Sequence, residues 1–307
     1  MSEVRQRPAG KPGARRPPGN YTAAFRADGV IHIPQALSAD DLRLVEAAYA
    51  WRMANLGPGA SAFYADTGAT FLQALGDSSE QPVFQRMLRD TPIGDIAADL
   101  FGRGPVWYMD EQLFYKDGAA AAGGARRTPW HQDSSYHPYG GTKQAVFWIA
   151  LDRVTKDGAL EVVRGSHLGV RYNGARFDPR DDTAPIYPES ALPRLPNIEA
   201  ERDKWDIVSW AVEPGDLLVF HAAALHGGGS AGQGVRRRSL TLRFAGDDVV
   251  RTAQPGQASP GAPLGEGVEA PARPGPRGPA VDRYWALPLG EPVASARPTL
   301  VRPWPTK

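Results

Sequence analysis

The chain has 307 residues, of which 42% are hydrophobic, and its formal net charge is +1. That length suffices to bury a substantial core, as one large domain or two smaller ones, and a charge so close to zero gives no overall attraction to nucleic acid or to a membrane surface. Because there is no cysteine, disulfide scaffolds, zinc ribbons, iron–sulfur clusters and thiol nucleophiles are excluded, and any metal must be bound by His, Asp or Glu.

The N-terminal residues 1–20 are rich in Pro, Gly and Arg and nearly free of apolar residues. Such a segment cannot bury enough surface to offset its ordering entropy, so we predict a disordered basic tail. It has no apolar signal-peptide region, and no apolar run in the sequence approaches the ~20 residues needed to span a bilayer. We therefore expect a cytoplasmic monomer or homodimer that acts on a small molecule, without a nucleic-acid or membrane partner.

Helical signals dominate the first third of the chain. A short helix is expected at 21–27, and the stretch VIHIP that follows predicts an edge strand. Ser38, with Asp41 three residues later, is an acidic variant of the capping box and marks the start of a helix. A second helical region covers 82–100, and Pro92 is expected to break it.

After Gly104 the pattern changes to short runs rich in β-branched and aromatic residues, separated by Gly, Pro and Asp clusters. The runs are VWYMDEQLFYK, KQAVFWIALD, ALEVV, DIVSWAV, DLLVF and RSLTLRF. This order predicts a mainly β fold with flanking α-helices, in which an antiparallel sandwich or barrel occupies about residues 104–250. Residues 252–280 are dominated by Pro, Gly and Ala and are predicted to form a long loop. Residues 21–307 are expected to form a single domain.

The motif that suggests chemistry is TPWHQD, which contains His131-x-Asp133. On a strand, alternate side chains point to the same face, so one imidazole and one carboxylate would be presented to the same point. Downstream, PGDLLVFHAAALHGGGS offers His221 and His226 as a third ligand. Two His and one carboxylate leave three coordination positions open, which suits iron(II) and dioxygen chemistry.

An arginine cluster lies on the predicted strand that follows these histidines. In GVRRRSLTLRF, at least one of Arg236, Arg237 and Arg238 must point inward if the strand is buried on one side. A guanidinium can form a bidentate pair with a carboxylate, so an inward arginine would anchor a small diacid that also chelates iron. A solvated basic turn is the simpler alternative.

Four segments, TPWHQD, DGALEVVRGSHLG, WAVEPGDLLVFHAAALHG and RRRSLTLRFAGDD, together resemble the phytanoyl-CoA dioxygenase-like family of iron(II)/2-oxoglutarate oxygenases. The match runs in order over about residues 22–250. The resemblance implies a double-stranded β-helix, that is, a jelly-roll or cupin-like core, with N-terminal helices. It also implies that His131, Asp133 and His226 bind iron(II), and that 2-oxoglutarate and O2 are co-substrates.

By position, Arg237 matches the arginine that holds the distal carboxylate of 2-oxoglutarate in this family. The resemblance also implies co-substrate contacts for four further residues, Gln112, Lys116, Gln132 and Trp148. Halogenating relatives replace the carboxylate ligand with a small residue so that chloride can bind. Because Asp133 is present, hydroxylation, or another oxidation such as desaturation or ring closure, is favoured over halogenation.

Candidate substrate contacts follow from position in the sequence. Tyr136 and His137 come soon after the carboxylate ligand and could face the pocket or have an ordinary loop role. Tyr108 is an aromatic pocket candidate, although aromatic side chains also suit a core. Arg243 shares strand parity with Arg237, so it could meet an anionic substrate group or merely a neighbouring aspartate.

Other functions fit parts of the sequence. GSH at 165–167 suggests a Ser/His hydrolase but lacks the G-x-S-x-G elbow. A cupin-type metal-dependent isomerase or hydrolase would use similar ligands without needing Arg237. A non-catalytic jelly-roll binding module with a vestigial site would be expected to have lost one of the three candidate metal ligands or Arg237. The near-neutral charge disfavours a nucleic-acid demethylase.

Overall fold

The computed structural model describes residues 21–63, 70–118, 125–178, 180–254 and 279–303. The predicted tail and nearly all of the predicted loop lie outside these residues. The helices are α1 (Tyr21–Asp28), α2 (Ala39–Ala54), α3 (Pro82–Asp90), α4 (Ile93–Leu100) and α5 (Pro279–Trp285). The strands are β1 (Val30–Ile33), β2 (Ala60–Phe63), β3 (Thr70–Gly76), β4 (Val106–Asp117), β5 (Thr128–His131), β6 (Tyr139–Gly140), β7 (Gln144–Ala150), β8 (Leu160–Val163), β9 (Ile207–Ser209), β10 (Leu217–Phe220), β11 (His226–Gly228), β12 (Arg236–Ala245), β13 (Val250–Arg251) and β14 (Thr299–Arg302).

Two antiparallel sheets form the centre of the fold. The larger sheet has the strand order β1-β10-β7-β12-β4-β3-β2, with β14 paired to the first part of β4. The smaller sheet has the order β5-β11-β8-β9, and β6 pairs separately with β13. Strands that pair within a sheet are mostly distant in the sequence, as in a jelly roll. The predicted mainly β fold with flanking helices is confirmed.

The N-terminal helices form where the local sequence predicts them. Ser38 Oγ accepts a hydrogen bond from the Asp41 backbone N–H, and the Asp41 carboxylate accepts one from the Ser38 backbone N–H, which completes the capping box of α2. Pro92 separates α3 from α4, as expected of a residue without a backbone N–H. Apolar side chains of these helices pack on one face of the large sheet and form the main core.

The opposite face of the large sheet packs against the smaller sheet. A second apolar cluster joins the two sheets and includes Trp148 of β7, Phe220 of β10 and Val162 of β8. On one side, the region between the sheets is therefore lined by every second residue of β4, β7, β10 and β12. This arrangement decides which side chains can reach a shared site.

Two strands of the first third were not predicted. β2 and β3 pair with each other, and β3 pairs along the second half of β4 in the register Thr70–Asp117 to Gly76–Glu111. They extend the large sheet beyond β4, so the first third of the chain is not only helical. At the other end, α5 begins at Pro279, inside the stretch that was predicted to be loop.

The two ligands of the His-x-Asp motif are not both on a strand, as the alternation argument assumed. β5 ends at His131, and Asp133 begins a short 3₁₀ turn. Gln132 between them is still extended, with φ −117° and ψ 128°. This extended residue keeps the alternation, so both side chains still point to the same side.

A β-bulge interrupts β4. Arg243 pairs with Asp110 and Phe244 pairs with Tyr108, so Met109 is an extra residue in the ladder. The bulge reverses the alternation of faces. Tyr108 therefore lies in the main core beneath the helices, whereas Asp110, two residues later, lies on the side of the small sheet.

Among the residues that the structure describes, no helix combines the length and the apolar character that crossing a bilayer requires.

Candidate active site

The antiparallel pairing of β5 with β11 places two histidines opposite each other. His226 is the register partner of His131, and the centroids of the two imidazole rings are 4.1 Å apart. Asp133 follows two residues after the first of them. Its Oδ1 lies 3.5 Å from His131 Nε2 and 3.7 Å from His226 Nε2. All three side chains are buried, and one ligand atom from each lies within 4.8 Å of the others.

Hydrogen bonds fix which ring nitrogen faces the common point. His131 Nδ1 is 2.8 Å from the carbonyl oxygen of Pro129, and His226 Nδ1 is 2.9 Å from that of Ala224. Each carbonyl oxygen accepts a hydrogen bond from Nδ1–H, so in the neutral imidazoles the Nε2 lone pairs face Asp133. Two imidazole nitrogens and one carboxylate oxygen on one side of a point are the ligand set typical of non-heme iron(II) oxygenases. The residues present therefore fit a ferrous ion.

The electrostatics of two triad residues, His226 and Asp133, favour the states that bind a metal. Burial, together with the neighbouring His131, lowers the pKa of His226 to about 3, so this imidazole is neutral at neutral pH. Burial by itself would raise the pKa of Asp133, but Arg243 and the two imidazoles outweigh it and hold that pKa well below its usual range. Neutral imidazoles and an ionised carboxylate are the protonation states that metal binding requires.

A cavity of about 590 Å³ lies beside the triad, between the two sheets. Aromatic and aliphatic side chains form much of its wall, among them Phe71, Tyr136, Phe177 and Ile186. Apolar atoms make up most of its lining surface and polar side chains the rest, which is the usual composition of a small-molecule site.

Arg237 of β12 lines the same cavity as the triad. Its Nη1 donates to the Gly158 carbonyl oxygen at 2.7 Å, and its guanidinium carbon lies 5.7 Å from the centroid of the Trp148 ring. Its Nε has no hydrogen-bond partner among the described residues. Burial lowers the pKa of Arg237 to about 10, so the guanidinium remains charged at neutral pH. A buried charge with an unused donor fits an anion supplied from outside the chain.

Two neighbours complete the surroundings of this guanidinium. Thr241 also lines the cavity. It is four residues after Arg237 on β12 and therefore on the same face, and its Oγ1 lacks a hydrogen-bond partner within the described part of the chain. Gly229 approaches so closely that a Cβ atom there would lie 2.4 Å from Arg237 Nη1. Its φ of +71° is also the left-handed conformation that glycine adopts most easily.

A family model described as phytanoyl-CoA dioxygenase (PhyH) matches residues 25–239, which is most of the chain. The chain belongs to the phytanoyl-CoA dioxygenase family. The metal-ligand triad lies within the matched region.

Members of the phytanoyl-CoA dioxygenase family and related enzymes resemble this chain over part of their length. It is 26% identical over 196 residues to the probable phytanoyl-CoA dioxygenase of Caenorhabditis elegans, covering 60% of the chain and 57% of that protein. It is 27% identical over 121 residues to the probable alpha-ketoglutarate-dependent hypophosphite dioxygenase of Stutzerimonas stutzeri, covering 39% of the chain and 40% of that protein. The matches thus span about half of these curated relatives.

A solved structure shows the same fold. The non-heme alpha ketoglutarate dependent epimerase SnoN from nogalamycin biosynthesis superposes with a TM-score of 0.61. The alignment covers 93% of this chain and 96% of that one, at 19% sequence identity. At this identity the likeness concerns the fold, and it supports the jelly-roll assignment.

Besides Arg237 and Arg243, four of the residues predicted to surround the family's site line the cavity. These are Gln112, Trp148, Tyr136 and His137. Tyr136 donates to the Ala175 carbonyl oxygen at 2.7 Å, with its ring at a steep angle to that of His131. His137 is buried, and its Nδ1 has no hydrogen-bond partner among the residues described.

Two predicted co-substrate residues are used within the protein itself. The Lys116 ammonium donates to the Gly229 carbonyl at 2.7 Å and to two further oxygens, which occupies its three donors. Gln132 bridges backbone groups of Val170, Tyr172 and Ala223. The structure therefore places Lys116 and Gln132 behind the cavity wall, where they hold the backbone that shapes it.

Two predicted substrate residues also have partners within the chain. The bulge in β4 turns Tyr108 into the helix-packed core, where its hydroxyl donates to Glu111. Arg243 does face the cavity, but its guanidinium binds Asp133 and Asp110. Strand parity left open whether Arg243 meets an anionic substrate group or a neighbouring aspartate, and the structure shows the aspartate.

Sequence reasoning missed several cavity residues, among them Phe177, Gln73 and Thr241. Phe177 has a φ of 59°, unusual for a bulky residue, and its ring stacks on Tyr136 at 5.9 Å and lies 5.3 Å from His131. No sequence pattern predicts such a backbone. Gln73 was missed because β3 was missed, although Phe71 and Gln73 alternate as a strand face does. Thr241 shares the parity of the predicted arginine and could have been found.

His221, the other candidate for the third ligand, lies apart from the triad. Its Nδ1 accepts a hydrogen bond from the Ala223 backbone N–H at 3.1 Å, and its ring lies 5.2 Å from that of His167. Burial, with a smaller contribution from His167, lowers the pKa of His221 to about 4. This histidine is a packed, neutral residue of the strand end.

Proposed function

We propose that this chain is an iron(II)- and 2-oxoglutarate-dependent dioxygenase that hydroxylates an unactivated C–H bond of a small organic molecule, with release of succinate and CO2. The observation that carries the proposal is that one cavity contains both the triad His131, Asp133 and His226 and the buried, partly unsatisfied guanidinium of Arg237. Membership in the phytanoyl-CoA dioxygenase family supports it.

The triad would hold the metal through His131 Nε2, His226 Nε2 and Asp133 Oδ1. Iron(II) bound there supplies the activation of O2, the oxidative decarboxylation of 2-oxoglutarate and the oxidation of the substrate C–H bond. The chain contributes ligands whose geometry is set before the metal arrives, because β-sheet pairing and the two Nδ1 hydrogen bonds fix both imidazoles.

Arg237 would bind the carboxylate of 2-oxoglutarate that is remote from the metal. A guanidinium suits this task because its planar fork of donors matches a carboxylate. The Gly158 carbonyl and the Trp148 ring hold the guanidinium in place, and Thr241 Oγ1 is available as a further donor on the same face of β12. Because Arg237 and the triad line the same cavity, a dicarboxylate could contact both.

The apolar wall formed by Phe71, Tyr136, Phe177 and Ile186 would receive the primary substrate. Such a wall keeps water from the reacting carbon and favours binding of hydrocarbon surface. A metal-dependent isomerase or hydrolase is less compatible with this geometry, because its reaction does not require the buried guanidinium of Arg237 in the cavity. A vestigial binding module would not require hydrogen bonds that orient both imidazoles toward Asp133.

Succinate formation tests the proposal. Protein purified without oxygen is mixed with iron(II), 2-oxoglutarate and ascorbate, and succinate is measured after air is admitted. We expect slow, substrate-independent succinate formation by the wild type, lost in His226→Ala and retained in the matched control His221→Asn. A screen of organic acids, acyl thioesters and secondary metabolites should then find compounds that accelerate it and gain one oxygen atom.

Other outcomes would contradict the proposal in distinct ways. Turnover with zinc and without 2-oxoglutarate would indicate an isomerase or hydrolase. Absence of metal binding would indicate a binding module. A product that is desaturated, cyclised or epimerised would leave the cofactor chemistry standing and overturn the hydroxylation.

A further inference from the structure

The Asp133 carboxylate has its two oxygens in different surroundings. Oδ1 faces the two imidazole Nε2 atoms, whereas Oδ2 faces Arg243 of β12. Arg243 donates to that one oxygen twice, from Nε at 3.1 Å and from Nη2 at 2.8 Å. A carboxylate held in this way on one oxygen cannot rotate freely about its terminal bond.

Arg243 is itself held on its other side. Its Nη1 donates to Asp110 Oδ1 at 2.9 Å, and its Nη2 also donates to Gln112 Oε1 at 2.8 Å. Asp110 and Gln112 are on β4, the strand paired with β12. Gln112 in turn donates to the Gln73 side chain of β3, so hydrogen bonds across three neighbouring strands hold the guanidinium in one orientation.

Two carboxylates, of Asp110 and Asp133, share the Arg243 guanidinium, and all three groups are buried. Because Arg243 covers Asp133 Oδ2, Oδ1 is the oxygen of that carboxylate that faces the imidazoles. A buried, ionised carboxylate oxygen in that position favours a cation.

On the basis of the proposed function, we propose that Arg243 is a positioning residue that occupies Asp133 Oδ2 and leaves Oδ1 alone as the carboxylate ligand of the metal. A carboxylate restricted to one oxygen takes one coordination position. It thereby leaves the remaining positions for the co-substrate and O2. In this role Arg243 contacts neither substrate nor co-substrate, which distinguishes it from Arg237 on the same face of β12.

The test uses Co(II) as a probe, added to the metal-free protein under anaerobic conditions, with affinity and the visible absorption of bound Co(II) as readouts. We expect Arg243→Gln to weaken Co(II) binding about 10- to 100-fold, the usual effect of removing a residue that orients a metal ligand. Its absorption spectrum should also change, because the freed carboxylate can bind through both oxygens. Arg243→Lys, which keeps the charge without the planar fork, should lie between this variant and the wild type.

A matched control separates positioning from loss of a buried ion pair. Glu111, on the opposite face of β4, forms a buried ion pair with Arg52 (3.0 Å) that does not touch the triad. Glu111→Gln should lower thermal stability, as Arg243→Gln does, while Co(II) affinity and spectrum stay as in the wild type. Circular dichroism establishes that each variant compared is folded. If Arg243→Gln is not folded, Arg243→Lys is the variant compared with the wild type.

The inference is overturned if both Arg243 variants bind Co(II) with wild-type affinity and spectrum, or if Glu111→Gln changes them equally. A different result would overturn the proposed function alone. In that case wild-type protein would bind Co(II) at the triad and His226→Ala would not, but the wild type would form no succinate with iron(II). Wild-type protein without a Co(II) site would overturn both.

Discussion

His226 and His131 are direct partners across the β5–β11 ladder, with their ring centroids 4.1 Å apart. Two of the three candidate ligands are therefore positioned by backbone pairing in the small sheet, and the third by an extended residue and a 3₁₀ turn. The large sheet supplies the groups that face them, Arg237 and Arg243. The candidate site is thus assembled only when the two sheets are packed together.

Metal binding should stabilise the folded chain, because the ligands converge only in the folded state. With free Co(II) or Mn(II) at 100 times the dissociation constant, the expected gain is about 2.7 kcal/mol in the free energy of unfolding. Thermal melts with and without metal measure it. The gain should disappear in His131→Ala and His226→Ala alike and persist in His221→Asn. Equal stabilisation of all four proteins would indicate binding elsewhere.

Arg237→Gln should raise the concentration of 2-oxoglutarate needed for half-maximal succinate formation. Loss of one partner of a buried, hydrogen-bonded charge pair costs at least about 2 kcal/mol, or roughly 30-fold. Arg238 is the matched control, because it is adjacent but points away and pairs with Asp152 at 2.7 Å. Arg238→Gln should leave the 2-oxoglutarate dependence unchanged, and Arg237→Gln should leave Co(II) affinity unchanged. A similar response of both variants would remove Arg237 from the co-substrate site.

Gly229→Ala should displace the Arg237 guanidinium, since the new Cβ would lie 2.4 Å from Nη1. Gly234 provides a close comparison, because its φ of +74° is nearly the same and a Cβ there would meet nothing within 4 Å. Each substitution places alanine in the left-handed region at a cost of about 1–2 kcal/mol, visible in urea unfolding. Only Gly229→Ala should also weaken 2-oxoglutarate binding. Equal kinetic effects would mean that backbone strain, and not contact with Arg237, is responsible.

His221 should make the folded state less stable in acid. Burial lowers its pKa from an ordinary value of 6.5 to about 4, so below pH 6.5 the unfolded chain binds the proton more tightly than the folded chain. Its contribution is complete above pH 6.5 and is lost as the pH falls toward 4, at no more than about 1.4 kcal/mol per pH unit. His221→Asn keeps an acceptor for the Ala223 N–H but does not titrate. Its free energy of unfolding, measured by urea titration at several pH values, should vary less between pH 6.5 and 4 than that of the wild type. An unchanged slope would contradict the assignment.

Much of the candidate site follows from strand alternation. The period of two placed His131 and Asp133 on one side, and it required an inward side chain among three arginines, of which the family resemblance singled out Arg237. These residues lie in strands or extended segments that are regular, so a local rule is sufficient. The same rule cannot choose between His221 and His226, because that choice depends on which residue pairs with β5.

The remaining errors have identifiable physical causes. Tyr108 was misplaced because a bulge changes the alternation, and a bulge is visible only in the pairing of two strands. Lys116 points toward the site by parity, but three oxygens of surrounding segments occupy its ammonium. Phe177 adopts a backbone conformation that its own side chain disfavours, so only the surrounding structure can impose it.

The bulge at Met109 also sets a limit on change in this strand. Removing Met109 would close the bulge without changing the pairing of Tyr108 or Asp110, whereas removing a residue beyond it would turn every side chain on one side of the deletion to the other face of the sheet. Adding one residue further along β4 would exchange Gln112 for Glu111 and bring a free acid next to the ligand-holding guanidinium. The number of residues in this strand is therefore under tighter constraint than most of its side chains, and length variation should be confined to the connections around it.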